Sequence, residues 1–436
     1  MDIERDILND LINWKNSTYR KPLVLQGARQ TGKSWILKKF GKTMFSNYVY
    51  INFDGETELK NEFAKTKDPV RLIRLLSQIS GKEIKPQTTL IIWDEIQECN
   101  DALNSLKYFC EQLPEYAIVC AGSLLGVAMK RSGSSFPVGK VDFMTLYPVS
   151  FKEFLRAFNP KQETFLSSVD KTEPVPEIFH SQLIDSYKTY LTCGGMPEAV
   201  SCYIDTSDWE RTEQIIKNIL IAYPLDFSKH ISNKDIPRIH QVWNNLQDQL
   251  AKENRKFRYG LIKKNSRARE YESSIEWLCL SGLVHRVYAV GTPKFPISAY
   301  KNSSSFKLYL SDVGLLRSKF NLDPMVSIKG NKLFTEFKGA FTENYVLQSI
   351  IRQFGEEQFY WTSGNQAEIE FLLQKNDLII PIEVKASVNV QAKSLSVYRK
   401  KYNPKLSIRF SLKNLRKDDD LLNIPLYMVD YLNEMV

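Results

Sequence analysis

Eight consecutive residues, Gly27-Ala28-Arg29-Gln30-Thr31-Gly32-Lys33-Ser34, satisfy the spacing G-x-x-x-x-G-K-[ST] at every defined position. Glycines in such a run let the backbone wrap so that its N–H groups point inward at phosphate oxygens, and the N-terminus of a following helix adds its dipole. Lys33 is then placed to neutralise the β- and γ-phosphates, and the Ser34 hydroxyl to ligate Mg²⁺. The chemistry predicted is binding of ATP with magnesium, followed by hydrolysis.

A second run supplies the acids this chemistry needs. Leu90-Ile91-Ile92-Trp93-Asp94-Glu95 reads as a buried strand ending in two adjacent carboxylates. Neighbouring strand residues face opposite sides, which leaves Asp94 for the Mg²⁺ shell and Glu95 as general base for the attacking water. Ser123 ends the next apolar run, YAIVCAGS, where its hydroxyl can sense the γ-phosphate; an ordinary strand-end serine reads the same way. Lys130, Arg131 and Lys140 follow in a Gly/Ser-rich loop. Each is a candidate for charge on the transition state or a solvated loop cation.

These residues need a scaffold, and the first 160 residues provide its pattern. Apolar runs at 22–27, 48–53, 89–95 and 116–123 alternate with amphipathic stretches such as SWILKKFG and DALNSLKYFCEQL. That alternation predicts a parallel α/β sheet. From 161 to 232 the period is helical, which suits a lid. From 233 to 330 short helices lead into WLCLSGLVHRVYAV and then TPKFPISAYKNSSSFKLYLSD, the outline of a winged-helix region. Residues 331–436 return to mixed α/β, with a helix at about 335–354 and strands in QFYWTS, AEIEFLLQ and LIIPIEVKAS.

Composition bounds the class. A chain of 436 residues with 43% hydrophobic and 25% charged residues is an ordinary globular protein of several domains. No apolar run approaches the roughly 20 residues that span a bilayer, so no membrane role is expected. The charged start, MDIERDILND, does not read as a signal peptide. The 6 cysteines show no C-x-x-C pair and read as buried hydrophobes in a reducing compartment, which places the chain in the cytoplasm. A net charge of +9 is compatible with contact to polyphosphate or nucleic acid.

Taken together, GARQTGKS (27–34), NFD (52–54), LIIWDEIQ (90–97), AGSLLG (121–126), LYPVSFKEFL (146–155), YLTCGGMPEAV (190–200) and KLYLSDVGL (307–315) resemble one family. It is that of the bacterial and archaeal AAA-type ATPases carrying a C-terminal domain of unknown function named DUF4143. The resemblance covers nearly the whole chain in order. It implies an ATPase core over 1–160, a small helical lid over 161–232, a winged-helix region over 233–330, and a PD-(D/E)xK nuclease-like domain over 331–436, similar to restriction endonucleases. Gly195-Met196-Pro197 looks like the family's GxP element near the nucleotide, with Pro197 a contact; it also reads as a helix stop followed by a first-turn proline. Before LYPVSF the family commonly has Gly-Arg, whereas this chain has Gly139-Lys140, and lysine lacks the planar fork of arginine.

Under this resemblance a second site is expected near the C-terminus. Glu368 and Glu370 share one strand face, and Glu383 and Lys385 share one face of the next. A hairpin setting Glu370 beside Glu383 would offer two ligands for Mg²⁺, with Glu343 from the preceding helix as a third and Lys385 orienting water. The family usually has aspartate at 370; glutamate reaches one methylene further. The alternatives are an exposed, ion-paired sheet face and a nuclease fold kept only for binding. The stretch Lys252-Glu253-Asn254-Arg255-Lys256-Phe257-Arg258-Tyr259, with Lys263, Lys264, Arg267 and Arg269, suits phosphate contact with stacking, and so DNA as a partner. A solubilising helix face has the same composition.

Overall fold

Strands without polar interruption form where both sheet faces are to be covered, and the N-terminal strands follow that rule. In the computed structural model they are β1 (Leu23–Gln26), β2 (Asn47–Asn52), β3 (Thr89–Asp94), β4 (Ala117–Gly122) and β5 (Asp142–Thr145). They pair in parallel in the order β2-β3-β4-β1-β5. Alternation along each strand sends residues to two separate cores. Val24, Ile91, Trp93, Ile118 and Cys120 pack with Leu72, Leu76, Leu106 and Phe109. Leu23, Leu25, Leu90, Ile92, Val119 and Ala121 pack instead with Leu11, Trp14, Ile36, Leu37 and Phe40. Helices Pro69–Ser80 and Asn100–Gln112 thus cover one face, and Ile7–Asn16 and Lys33–Met44 the other.

This sheet belongs to a unit of Arg5–Tyr147 with Leu280–Gly282, and a second unit consists chiefly of Pro148–Cys279 and Leu283–Val436. The structure describes residues 2–123, 136–228, 231, 234–252, 255–325, 332–364, 366–386 and 393–436, with backbone only for 332–337.

The second unit opens with a helix, Phe151–Phe158, begun by a capping box in which Ser150 and Glu153 satisfy each other's backbone amides. Helices Glu177–Cys193, Pro197–Thr206, Trp209–Asp226 and Ile236–Leu250 follow. Its sheet has eight strands: β6 (Val284–Val290), β7 (Lys301–Leu310), β8 (Gln358–Thr362), β9 (Glu368–Lys375), β10 (Leu378–Val384), β11 (Ser407–Ser411), β12 (Arg416–Asp418) and β13 (Leu421–Pro425). The order is β12-β13-β11-β10-β9-β8-β6-β7. The two strands outlined as a wing therefore lie in the same sheet as the C-terminal strands, with β6 parallel to β8. The long helix is Lys332–Phe354. The architecture is multidomain α/β: a parallel-sheet core with flanking helices, and a separate C-terminal α/β sheet. No helix among the described residues is long and apolar enough to cross a membrane.

Candidate functional site

The loop after β1 carries the phosphate-binding spacing, and its backbone takes the conformation that spacing requires. Gly27 has φ +147°, and a Cβ there would stand 2.3 Å from the Leu146 carbonyl oxygen. Gln30 at φ 63° and Gly32 at φ 93° also turn left-handed. Gly32 is the N-cap of helix Lys33–Met44 and brings no side chain to its first amides, so they are available to an anion. Two side chains hold the loop. Thr31 Oγ1 donates to the Ala28 carbonyl at 2.9 Å, and the buried Arg5 guanidinium donates to the Thr31 carbonyl at 3.2 Å and the Tyr147 carbonyl at 2.6 Å.

Lys33 is stowed against this loop, its Nζ donating to the Gly27 carbonyl at 2.9 Å and the Ala28 carbonyl at 2.8 Å. Its pKa is lowered to about 8, chiefly by burial and in small part by Arg29, with the Glu95 and Asp94 carboxylates opposing the fall. Both acids from the second run therefore act on the amine of the first. Ser34 follows, half-buried, in the first turn of the helix.

Asp94 is buried at the tip of β3, accepting from the Tyr50 hydroxyl at 2.7 Å and from the Glu95 amide at 3.0 Å. Burial first, and then this bond to Asp94, push the Tyr50 phenol well above its ordinary range. Lys38 Nζ lies 3.6 Å from the centre of the Tyr50 ring. Glu95 departs from the strand geometry expected of it. The strand ends at Asp94, and Glu95 takes a left-handed conformation, φ 50° and ψ 45°, leading into a short 3₁₀ turn. It is this turn, and not strand alternation, that separates the two acids. Gln97 from the same turn donates Nε2 to the Glu95 carboxylate.

Ser123 lies one step beyond the register pair Gln26↔Gly122, beside the start of the loop. Its buried hydroxyl has no hydrogen-bond partner among the described residues, as suits a group awaiting a ligand oxygen. Lys140 pairs with Glu111 at 2.8 Å. Lys130 and Arg131 lie outside the described residues. Pro197 is at the first position of its helix in the second unit, where the Gly195 amide donates to Asp312 at 2.6 Å. Tyr50, Gln97 and Arg5 escaped the sequence reading; only the placement of Tyr50 two residues before NFD, on a strand beside the Asp94 strand, carried any signal.

Magnesium fits this first site on its donor set. The buried carboxylate of Asp94, whose hydrogen bonds come from a neutral hydroxyl and a backbone amide, and the Ser34 hydroxyl are hard oxygen donors of the kind Mg²⁺ takes beside phosphates.

In the second unit, β9 and β10 pair antiparallel, and one step beyond the pair Ile382↔Phe371 stand Glu383 and Glu370. The expected hairpin is present. Glu370 accepts from the Val384 amide at 3.1 Å. Burial, followed by the charge of Glu343, raises its pKa to about 7, with Glu383 adding to the rise and Lys385 and Lys307 opposing it. The other carboxylates are engaged. Glu343 accepts from Arg255 at 2.5 Å and from the Tyr309 hydroxyl at 2.9 Å. Glu383 accepts from Arg409 at 3.0 Å and pairs with Lys385 at 3.3 Å, while Glu368 binds Lys307. Among the described residues no group of three or more His, Cys, Asp or Glu side chains is gathered to hold a metal. A chamber of about 920 Å³ opens beside Glu368 and Glu370, and Lys252, Arg255, Lys256 and Arg258 line it.

Family models agree with this division. An AAA domain (AAA_14) matches residues 19–155, the domain of unknown function DUF8612 matches 184–325, and DUF4143 matches 338–428. The chain thus carries an AAA_14 ATPase domain followed by a DUF4143 domain. No curated protein matches the chain. Among solved structures it is similar to the Walker-type ATPase paby2304 of Pyrococcus abyssi, at 14% identity over 73% of this chain and 96% of that one, TM-score 0.46. It is also similar to the Aeropyrum pernix ORC2 protein in its ADPNP–ADP complexes, at 12% identity over 74% and 91%, TM-score 0.33. Both likenesses are loose, and neither bears on reaction or partner.

Proposed function

We propose that this protein is a magnesium-dependent ATPase whose nucleotide state governs a DNA-directed module in its second unit. The observation that carries the hydrolytic reading is the Lys33 amine seated on the Gly27 and Ala28 carbonyls of the loop, under the charge of Glu95 and Asp94, at a helix N-terminus with no side-chain cap. On arrival of a triphosphate, Lys33 exchanges the Gly27 and Ala28 carbonyls for phosphate oxygens and regains its full charge. Asp94 and Ser34 would hold Mg²⁺, which would supply neutralising charge to the phosphates. Tyr50 fixes the Asp94 carboxylate. Glu95, steadied by Gln97, accepts the proton of the attacking water. Ser123 meets the terminal phosphate, and the loop residues from Gly27 to Ser34 enclose the rest.

The DNA part of the reading rests on the net charge of +9 and on the cations Lys252, Lys256 and Arg258 beside the chamber. The lid, winged-helix and nuclease-like assignments to 161–232, 233–330 and 331–436 belong to the same proposal, as do Pro197 as a nucleotide contact and a cytoplasmic location. A second reading, an ATP-gated switch whose nuclease-like domain binds without cutting, is favoured by the engagement of Glu343 and Glu383 with cations.

Steady-state phosphate release with and without duplex DNA tests both. DNA-stimulated turnover supports the first reading, and a near-zero rate unmoved by DNA supports the second. Lys33→Ala should abolish ATP binding, and wild-type affinity in that variant would overturn the site assignment.

A further inference from the structure

The family resemblance implies a divalent cation at Glu343, Glu370 and Glu383, and the side chains around them do not fit one. We infer that the Arg255 guanidinium stands in place of that ion, so that the acidic centre of the second unit takes no divalent metal.

Charge comes first. Glu343, Glu368, Glu370 and Glu383 supply four carboxylates, and Arg255, Lys307, Lys385 and Arg409 answer with four cations. By formal charge the cluster balances without any ion, and burial already favours the neutral form of Glu370, which has no ion pair among the described residues. A site that recruits a divalent cation needs surplus negative charge or water-facing oxygens. Here an added ion would have to displace the guanidinium from a buried carboxylate and so break a charge-assisted hydrogen bond. Glu343 and Glu383 are only 3% and 1% exposed, so neither carboxylate can turn to solvent.

Shape agrees. Glu343 is the carboxylate expected from the helix, and both its oxygens are taken: Oε1 by Arg255 at 2.5 Å, Oε2 by Tyr309 at 2.9 Å. The helix Lys332–Phe354 makes room for the guanidinium at Gly339, where a Cβ would meet Arg255 Nη2 at 2.6 Å. Arg255 is therefore seated against the helix, and a side chain at 339 would make its guanidinium shift. Lys252 and Arg258 also line the chamber, beside Glu368, whose charge Lys307 answers. Such a chamber favours an anion bound without a bridging metal.

The inference is independent of the ATPase reading, because ATP turnover and metal binding to the second unit are separate measurements. The test is a Mn²⁺ titration followed by electron paramagnetic resonance, on nucleotide-free full-length protein carrying Asp94→Asn to silence the other acid site. The expected result is no stoichiometric Mn²⁺ binding in this background. Adding Arg255→Gln, which keeps much of the side-chain volume, should create one site, and further addition of Glu343→Gln should remove it. One stoichiometric Mn²⁺ with Arg255 intact, lost on Glu343→Gln, would overturn the proposal even if the arginine variant failed to fold. A folded Arg255→Gln protein that gains no site would overturn it too.

Discussion

Lys33 should make ATP binding steeply pH-dependent on the alkaline side of neutrality. In the nucleotide-free protein burial brings its pKa from 10.5 to about 8. That fall is worth about 3 kcal/mol, taking about 1.4 kcal/mol per pH unit. Its sign follows from linkage. A lysine whose folded pKa lies below its unfolded value binds fewer protons when folded. Its penalty on stability is full below about pH 8 and fades as pH rises toward 10.5. A triphosphate reverses the situation, because neighbouring negative charge restores the proton. ATP affinity should then be flat from pH 6.5 to about 7.5 and fall about tenfold by about pH 9, where most of the free protein must take up a proton before the ammonium can pair. Calorimetry at about pH 9 in two buffers of different ionisation enthalpy should report uptake approaching one proton per ATP. Constant affinity across that range, with no proton uptake, would refute the argument that the amine is desolvated in the free site.

Three further outcomes follow from the same geometry. Glu95→Gln should bind ATP with near-normal affinity yet lower turnover by about 10²–10⁴-fold, read by single-turnover hydrolysis. Tyr50→Phe removes a hydrogen bond to a charged carboxylate and should weaken Mg·ATP binding by about 1.5–3 kcal/mol, with a smaller effect on magnesium-free nucleotide. Gly27→Ala puts a Cβ 2.3 Å from a backbone oxygen, so the loop must shift; lost ATP binding and a lower unfolding midpoint should appear together.

The parts legible in the sequence are those that local physics dictates. Uninterrupted apolar runs became the buried strands β1, β3 and β4, because a parallel sheet covered on both faces tolerates little else, while β2 at the sheet edge is only partly buried. The glycines at 27 and 32 marked a loop that ordinary residues cannot follow. Glu370 beside Glu383 followed from two adjacent strands and one short turn. By contrast β5 was missed: it is short, only partly buried, and held by pairing with β1, 119 residues away at the register Leu23↔Asp142.

What only the tertiary structure decided is which distant side chain answers each charge. Nothing near Asp94 in the chain announces Tyr50, which sits 44 residues earlier, and nothing near Glu343 announces Arg255, 88 residues earlier. The union of β6 and β7 with the C-terminal strands is of the same kind, since edge pairing depends on which sheet lies within reach. Residue type and spacing select a local conformation, whereas the partner of a buried charge is set by chain closure, for which short-range patterns carry no code. The phosphate loop was therefore readable from eight letters, while the replacement of a metal by an arginine was not.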